Sequence, residues 1–344
     1  MNNNNPEIFM FVVALLSYLV AFALYSVSLG FKRQKLYNFA RILNWIGAMF
    51  ALSALLYRWY TAGHPPLSNM YESLVTLSTF IVLAGLMFTS KESVTLVEAG
   101  SVATAVLMIG IASVFPSNVR PLVPALNSYW LHLHVSLAFL GEACFAIAFV
   151  LSYLYCLKRL SERSDNAEET CLSRKEKIAC YAVAWVLPVL FFVGMGALAY
   201  SLGSKPAYAE VRYNLWIVIA ILAFMLLFLA KYLWRGLGKI LPDAQKLDNL
   251  TYRAIAVGFP LFTVGGLIFG MIWANKAWGR YWGWDPKETW ALITFFVYSI
   301  YLHVRLVRGW GGVSTACLSV MGFIVTMFTL FGVNLLISGL HSYI

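Results

Sequence analysis

Charge is scarce in this chain. Only 12% of its 344 residues are Asp, Glu, Lys or Arg, against 61% hydrophobic ones. A water-soluble domain carries about a quarter of its residues as charges, so this composition excludes one. Cysteine is sparse as well. The five present, Cys144, Cys156, Cys171, Cys180 and Cys317, form no C-x-x-C pair and fall inside apolar runs or beside basic loops. That placement argues against a disulfide framework and against thiol exchange. No repeat of solenoid period and no low-complexity tract divides the chain, so residues 1–344 read as a single membrane-embedded domain. The Asn-rich start lacks a basic n-region, and the apolar run after it is long enough to span, so the first span is expected to be retained.

What the chain does have is apolar runs of about 20 residues along its whole length, the number needed to cross a bilayer as a helix. The expected fold is all-α, a polytopic integral membrane helix bundle of about ten transmembrane helices. They run from Glu7 to Gly30, Phe39 to Tyr60, Glu72 to Phe88, Leu96 to Phe115, Trp130 to Lys158, Ile178 to Gly203, Tyr213 to Trp234, Tyr252 to Ala274, Glu288 to Arg305 and Val313 to Leu340. Most of the 25 basic residues collect in alternate connections, at Lys32 to Arg41, Lys91, Lys158 to Lys177, Lys231 to Arg253 and Arg305 to Arg308. Basic loops stay in the cytoplasm, which places both termini on the extracytoplasmic side. The net charge of +10 is thereby an orientation signal rather than a nucleic-acid footprint. A polar cytoplasmic loop is expected at about residues 160–177.

Two features carry chemistry. The first is the connection at about 275–288, where Trp278, Trp282 and Trp284 stand within seven residues. Indole rings offer wide apolar faces and one N–H donor each, and Gly279 and Gly283 let the backbone turn or approach a ligand. The connection suits a planar, amphipathic guest, whose carboxylates Arg280, Lys276 and Lys287 could meet. Asp285 before Pro286 is a helix N-cap signature. An interfacial aromatic belt would scatter its tryptophans over many spans instead.

The second is a set of five histidines. His64, His132, His134 and His341 lie at outer span ends, and His303 lies near the inner end of the ninth span. Two imidazoles from different helices can hold one haem iron from opposite sides. His132 and His134, two residues apart on a helix, point to different faces, which makes His132 the better candidate for a merely interfacial role. His303 is roughly 28 Å along a helix from Trp284, too far to share an iron with the outer histidines. It suits a separate inner site, as an intramembrane ionisable residue, unless it snorkels beside Arg305. Glu142, about two turns below His134, meets the same criterion or is a carboxyl hydrogen-bonded between helices. Glu98, close to a span end, reads as interfacial.

The run Trp278-Gly279-Arg280-Tyr281-Trp282-Gly283-Trp284-Asp285-Pro286-Lys287-Glu288 resembles the WWD motif of haem-handling membrane proteins. Its continuation to Tyr301-Leu302-His303 is similar to the CcsA (ResC) branch, half of the System II machinery of cytochrome c biogenesis. Gly63-His64-Pro65-Pro66 through Leu74, Leu122 to Trp130 running into His134, and Phe331 to Asn334 running into Gly339-Leu340-His341 match further. The resemblance implies that haem b, handled as substrate, reaches the outer face and is joined to the two cysteines of a C-x-x-C-H motif in apocytochrome c. It implies His134 and His341 as ligands of the outer iron, His303 as ligand of an inner haem, and residues 278–280 and 282–285 as the haem cradle. It also implies holocytochrome c synthase activity with a CcsB (ResB)-type membrane partner and, beside them, a thioredoxin-like thiol reductant. The lipid membrane would be a bacterial plasma membrane or a thylakoid, and no nucleic acid is involved. Two other readings are a haem carrier without attachment activity, and a quinone- or ion-handling subunit in which histidines and Glu142 relay protons.

Overall fold

The computed structural model describes residues 6–89, 95–113, 115–119, 121–122, 124–165, 172–187, 189–190, 194 and 240–337. Every described element is helical. In chain order they are α1 (Pro6–Phe31), α2 (Gln34–Ala62), α3 (Met70–Thr89), α4 (Thr95–Ala112), a 3₁₀ turn (Pro124–Leu126), α5 (Tyr129–Asp165) and α6 (Arg174–Tyr181), which runs into a π-helical turn (Ala182–Val186). Then follow α7 (Ala244–Phe262), a π-helical segment (Thr263–Phe269), α8 (Gly270–Trp278), α9 (Pro286–Leu306), α10 (Val313–Met327), a second π-helical segment (Phe328–Gly332) and α11 (Val333–Leu336).

Eight of these helices or continuous helical runs are long and apolar enough to cross a membrane, with α7, the π segment and α8 counting as one run. Of the two remaining expected spans, Tyr213 to Trp234 lies outside the described residues, and Ile178 to Gly203 is described chiefly up to residue 187. Within the expected polar loop at 160–177, α5 continues to Asp165 and α6 begins at Arg174, with residues 166–171 outside those described. A Ser173 capping box starts α6, with Glu176 N–H donating to Ser173 Oγ and Ser173 N–H donating to Glu176 Oε2.

Helix α5 is the axis of the molecule. Its lower half is buried on nearly every face, with Phe145, Ile147 and Leu151 fully enclosed, and the larger apolar core is built around it. Helix α7 packs against it through glycines. A Cβ at Gly258 would stand 2.7 Å from Cys144 Cβ and 2.9 Å from the Gly141 carbonyl oxygen, and one at Gly141 would stand 2.7 Å from the Phe262 nitrogen. Between membrane helices lipid supplies little hydrophobic drive, so close backbone approach and dispersion contacts hold the pair. Farther along, Phe145 and Tyr298 of α9 stack with centroids 3.6 Å apart.

A second core joins α1 to α4 around Tyr18, Tyr25, Leu86 and Val102. The outward faces of α1 and α2 expose Phe9, Leu16, Phe39 and Met49, as surfaces solvated by lipid tails do. Glu98, in the first turn of α4, is enclosed by neighbouring helices. It is fully buried and accepts from Tyr25 Oη at 2.7 Å and Tyr37 Oη at 3.2 Å, with Arg41 Nε at 3.4 Å. A span-end position gave no hint that tyrosines of two other helices would enclose it.

Candidate functional site

A cavity opens among α5, the run from α7 to α8, α9 and the second π segment, and His134, Glu142, Trp282 and Lys287 are among its lining. Local geometry places each of these.

His134 lies one and a half turns into α5, and its ring is held on two sides. Nδ1 hydrogen-bonds the Gly265 carbonyl oxygen at 2.8 Å, and the ring stacks on Trp273 at 5.8 Å with an interplanar angle of 11°. A carbonyl can only accept, so Nδ1 carries the proton and Nε2 keeps its lone pair. Such a partner fixes tautomer and ring orientation in metal-ligating histidines. Trp273 is itself fixed, donating from Nε1 to the Ala125 carbonyl oxygen at 2.9 Å and meeting Trp278 edge-on at 4.8 Å.

The Gly265 carbonyl belongs to the π segment that follows Pro260. Proline inside a helix removes an N–H and crowds the carbonyl of the preceding turn, and π-bulges of this kind recur at functional sites. Gly265 admits no side chain, because a Cβ there would stand 2.5 Å from the Ala138 nitrogen of α5. Gly270 plays a similar part for the ring, since a Cβ there would approach His134 Cε1 to 3.0 Å. Trp273, Gly265 and Gly270 escaped the sequence reading. Their available signal was the cluster of glycines inside an otherwise helical apolar run, which marks close packing.

The tryptophan connection is shorter than its motif. Trp278 ends α8, Gly279 takes the left-handed conformation (φ 73°) that closes it, and α9 starts at Pro286. Between them, Tyr281 and Trp282 line the cavity, Trp284 is 71% exposed with φ 56°, and Trp282 and Trp284 meet edge to face at 5.7 Å. Arg280 is exposed and lays its guanidinium over Gly283, where a Cβ would come within 2.8 Å of it. Asp285 is buried and caps α9, accepting from Lys287 N–H at 3.0 Å in a capping box with Glu288. Glu288 Oε2 accepts from both Gly283 N–H (2.7 Å) and Asp285 N–H (3.2 Å), which ties the connection to the helix below it. Asp285, Gly283 and Glu288 thus set the shape of the connection, while Trp282 and Tyr281 present side chains to the cavity.

The other described histidines, His64, His132 and His303, lie apart from the cavity lining. His132 is half-buried and does not line the cavity. His64 is buried in the connection after α2, with Nδ1 at 3.1 Å from the Pro65 carbonyl oxygen and no hydrogen-bond partner for Nε2. His303 is exposed near the end of α9, far from the cavity, as its spacing required. His341 lies outside the described residues. Among the described residues no group of three His, Cys, Asp or Glu is arranged to hold a metal ion unaided.

Among the described residues the site is therefore a membrane-embedded cavity with one oriented imidazole, an aromatic wall and few charges, within an all-helical polytopic bundle. The cytochrome C assembly protein family matches residues 67–341. Cytochrome c biogenesis protein CcsA of Prochlorococcus marinus (strain NATL2A) is 37% identical over 316 residues, covering 88% of this chain and 84% of that protein. The CcsA of Cyanophora paradoxa is 35% identical over 323 residues, covering 90% and 88%. Among solved structures, cytochrome c heme lyase CcmF superposes with a TM-score of 0.56 at 14% identity, covering 96% of this chain and 47% of that one, a likeness of fold. The chain belongs to the cytochrome c assembly family, and its place is with the CcsA proteins of cytochrome c biogenesis.

Proposed function

We propose that the chain takes haem b as its substrate, carries it to the outer face of the membrane and holds it there for covalent attachment to apocytochrome c. The observation that carries this reading is the His134 ring, whose Nδ1 is committed to the Gly265 carbonyl so that Nε2 is free to bind iron beside the aromatic wall. His341 would supply the second axial ligand from the end of the last span. Bis-histidine ligation keeps the iron low-spin and the macrocycle oriented, and Trp282 and Tyr281 offer flat faces to it. Residues 278–280 and 283–285 hold the connection in the shape that presents those faces.

Attachment then needs position more than acid–base assistance. Each thiol of a C-x-x-C-H segment adds across one vinyl group, its sulfur bonding to one vinyl carbon and its hydrogen going to the other, with no net change in electrons. Holding vinyl and thiol together replaces an encounter from solution. The histidine of the incoming segment displaces one protein ligand and frees the product. A thioredoxin-like reductant would keep the two thiols reduced.

His303, exposed toward the inner end of α9, suits a haem on its way outward, with the opposite ligand supplied by a CcsB-type membrane partner. On this reading the synthase works as that complex, with both termini of this chain and the attachment site extracytoplasmic, in a bacterial plasma or thylakoid membrane.

The test is the absorption spectrum of the chain purified with its partner from haem-sufficient cells. A low-spin bis-histidine spectrum is expected for the wild type, with its loss or conversion in His134→Ala. A colourless wild type would overturn the reading and favour a quinone- or proton-handling role.

A further inference from the structure

Three cations near the tryptophan connection are available to an anionic guest, and the fold separates them. Lys276 and Arg280 are exposed and absent from the cavity lining, whereas Lys287, in the first turn of α9, lines it. Lys287 Nζ donates to Asn334 Oδ1 at 3.1 Å. The orientation of that amide is set by its own Nδ2, which donates to the Leu330 carbonyl oxygen at 2.6 Å. An ammonium carries three donors, so capacity remains.

Two other polar atoms of the same lining have no hydrogen-bond partner although both are buried. They are Trp282 Nε1, a donor, and Glu142 Oε2, on a residue only 7% exposed. The other lining carboxylate, Glu288, has an oxygen engaged by the backbone of the connection. A buried polar group left unmatched is destabilising, so a set of unmatched groups around one cavity points to a ligand that matches them.

We infer that Lys287, Trp282 Nε1 and Glu142 form a carboxylate-binding subsite that takes a propionate of the haem and thereby decides which edge of the macrocycle faces inward. This rests on the haem reading above. The ammonium and the indole N–H donate to the propionate, and Glu142 matches it as a carboxylic acid, its O–H donating to the carboxylate oxygen. One negative charge then meets one positive charge in the cavity. The vinyl edge, away from the propionates on the macrocycle, is turned toward the exposed end of the connection at Tyr281 and Trp284, where thiols arrive from solvent.

The experiment titrates ferric protoporphyrin IX and its dimethyl ester into the detergent-purified full chain and reads the Soret band. The wild type is expected to bind the diacid at least about tenfold more tightly than the diester, the size of one charge-assisted hydrogen bond. Lys287→Met removes that preference while the diester still gives its His134-dependent band, and Lys287→Arg retains the preference and reports that the site folds. An unchanged diacid-to-diester ratio in Lys287→Met, with the His134-dependent band intact, overturns the subsite and leaves the haem reading standing. A wild type that shows no His134-dependent band with either porphyrin overturns both.

Discussion

Two acid–base clusters in this bundle have nearly the same ingredients and opposite states. Around Arg58, on α2, Nε donates to Glu72 at 2.9 Å, one terminal nitrogen donates to Glu7 at 2.8 Å and the other to the Ser117 carbonyl oxygen at 2.7 Å. Glu72 Oε2 is met in turn by the Ser68 backbone N–H at 2.8 Å and its hydroxyl at 2.7 Å. Around Lys287 and Glu142 a cation and a carboxyl line one cavity, yet the ammonium bonds an amide and a carboxyl oxygen bonds nothing. A buried pair is retained at bearable cost only when its remaining donors and acceptors are met. The saturated cluster closes α1, α2 and α3 together, and the open one is the cluster proposed above to receive a guest. Saturation, not charge content, separates a structural cluster from a binding one here. The Asp248 cluster falls on the structural side, since its carboxylate accepts from Arg305, Gly312 N–H and Thr315 and so joins α7, α9 and α10.

The contrast can be broken by substitution. Arg58→Ala should produce the largest effect, a loss of about 3–5 kcal/mol, because Glu7 and Glu72 are left without their cation. Thermal unfolding in detergent measures it, and a loss below about 1 kcal/mol would show that the cluster does not hold the helices together. Asp285→Ala should cost about 1 kcal/mol through loss of the cap on α9, and the same unfolding assay reads it. It should also blur any porphyrin spectrum, because Glu288 no longer has the capped turn that holds the connection. Glu142→Gln should change stability least, by about 0.5 kcal/mol or less in the absence of haem, since no partner of Oε2 is lost. Destabilisation by Glu142→Gln as large as that of Arg58→Ala would remove the distinction between the clusters.

Local sequence was sufficient for some of this. The Asp-Pro-Lys-Glu order caps α9 as its chemistry requires, because a cap depends on residues within one turn. The described apolar runs are helices for an equally local reason, since a backbone in lipid must satisfy its own N–H and C=O groups. The tryptophan connection was legible as a concentration of aromatics, but not which ring meets the cavity. Spacing put Trp278, Trp282 and Trp284 together, and only the turn at Gly279 and the anchoring of Glu288 turned Trp282 inward and left Trp284 exposed.

Sequence by itself determined that this is a polytopic helical membrane protein with histidines at span ends and a tryptophan-rich motif between two spans, because hydropathy and motif are properties of contiguous residues. Tertiary structure decided which of the described histidines lines the cavity, which carbonyl fixes its tautomer and which lysine shares the lining with Glu142. Those depend on the approach of α5 to the π segment at Gly265 and of α9 to Asn334, distances between helices that no spacing within one of them contains.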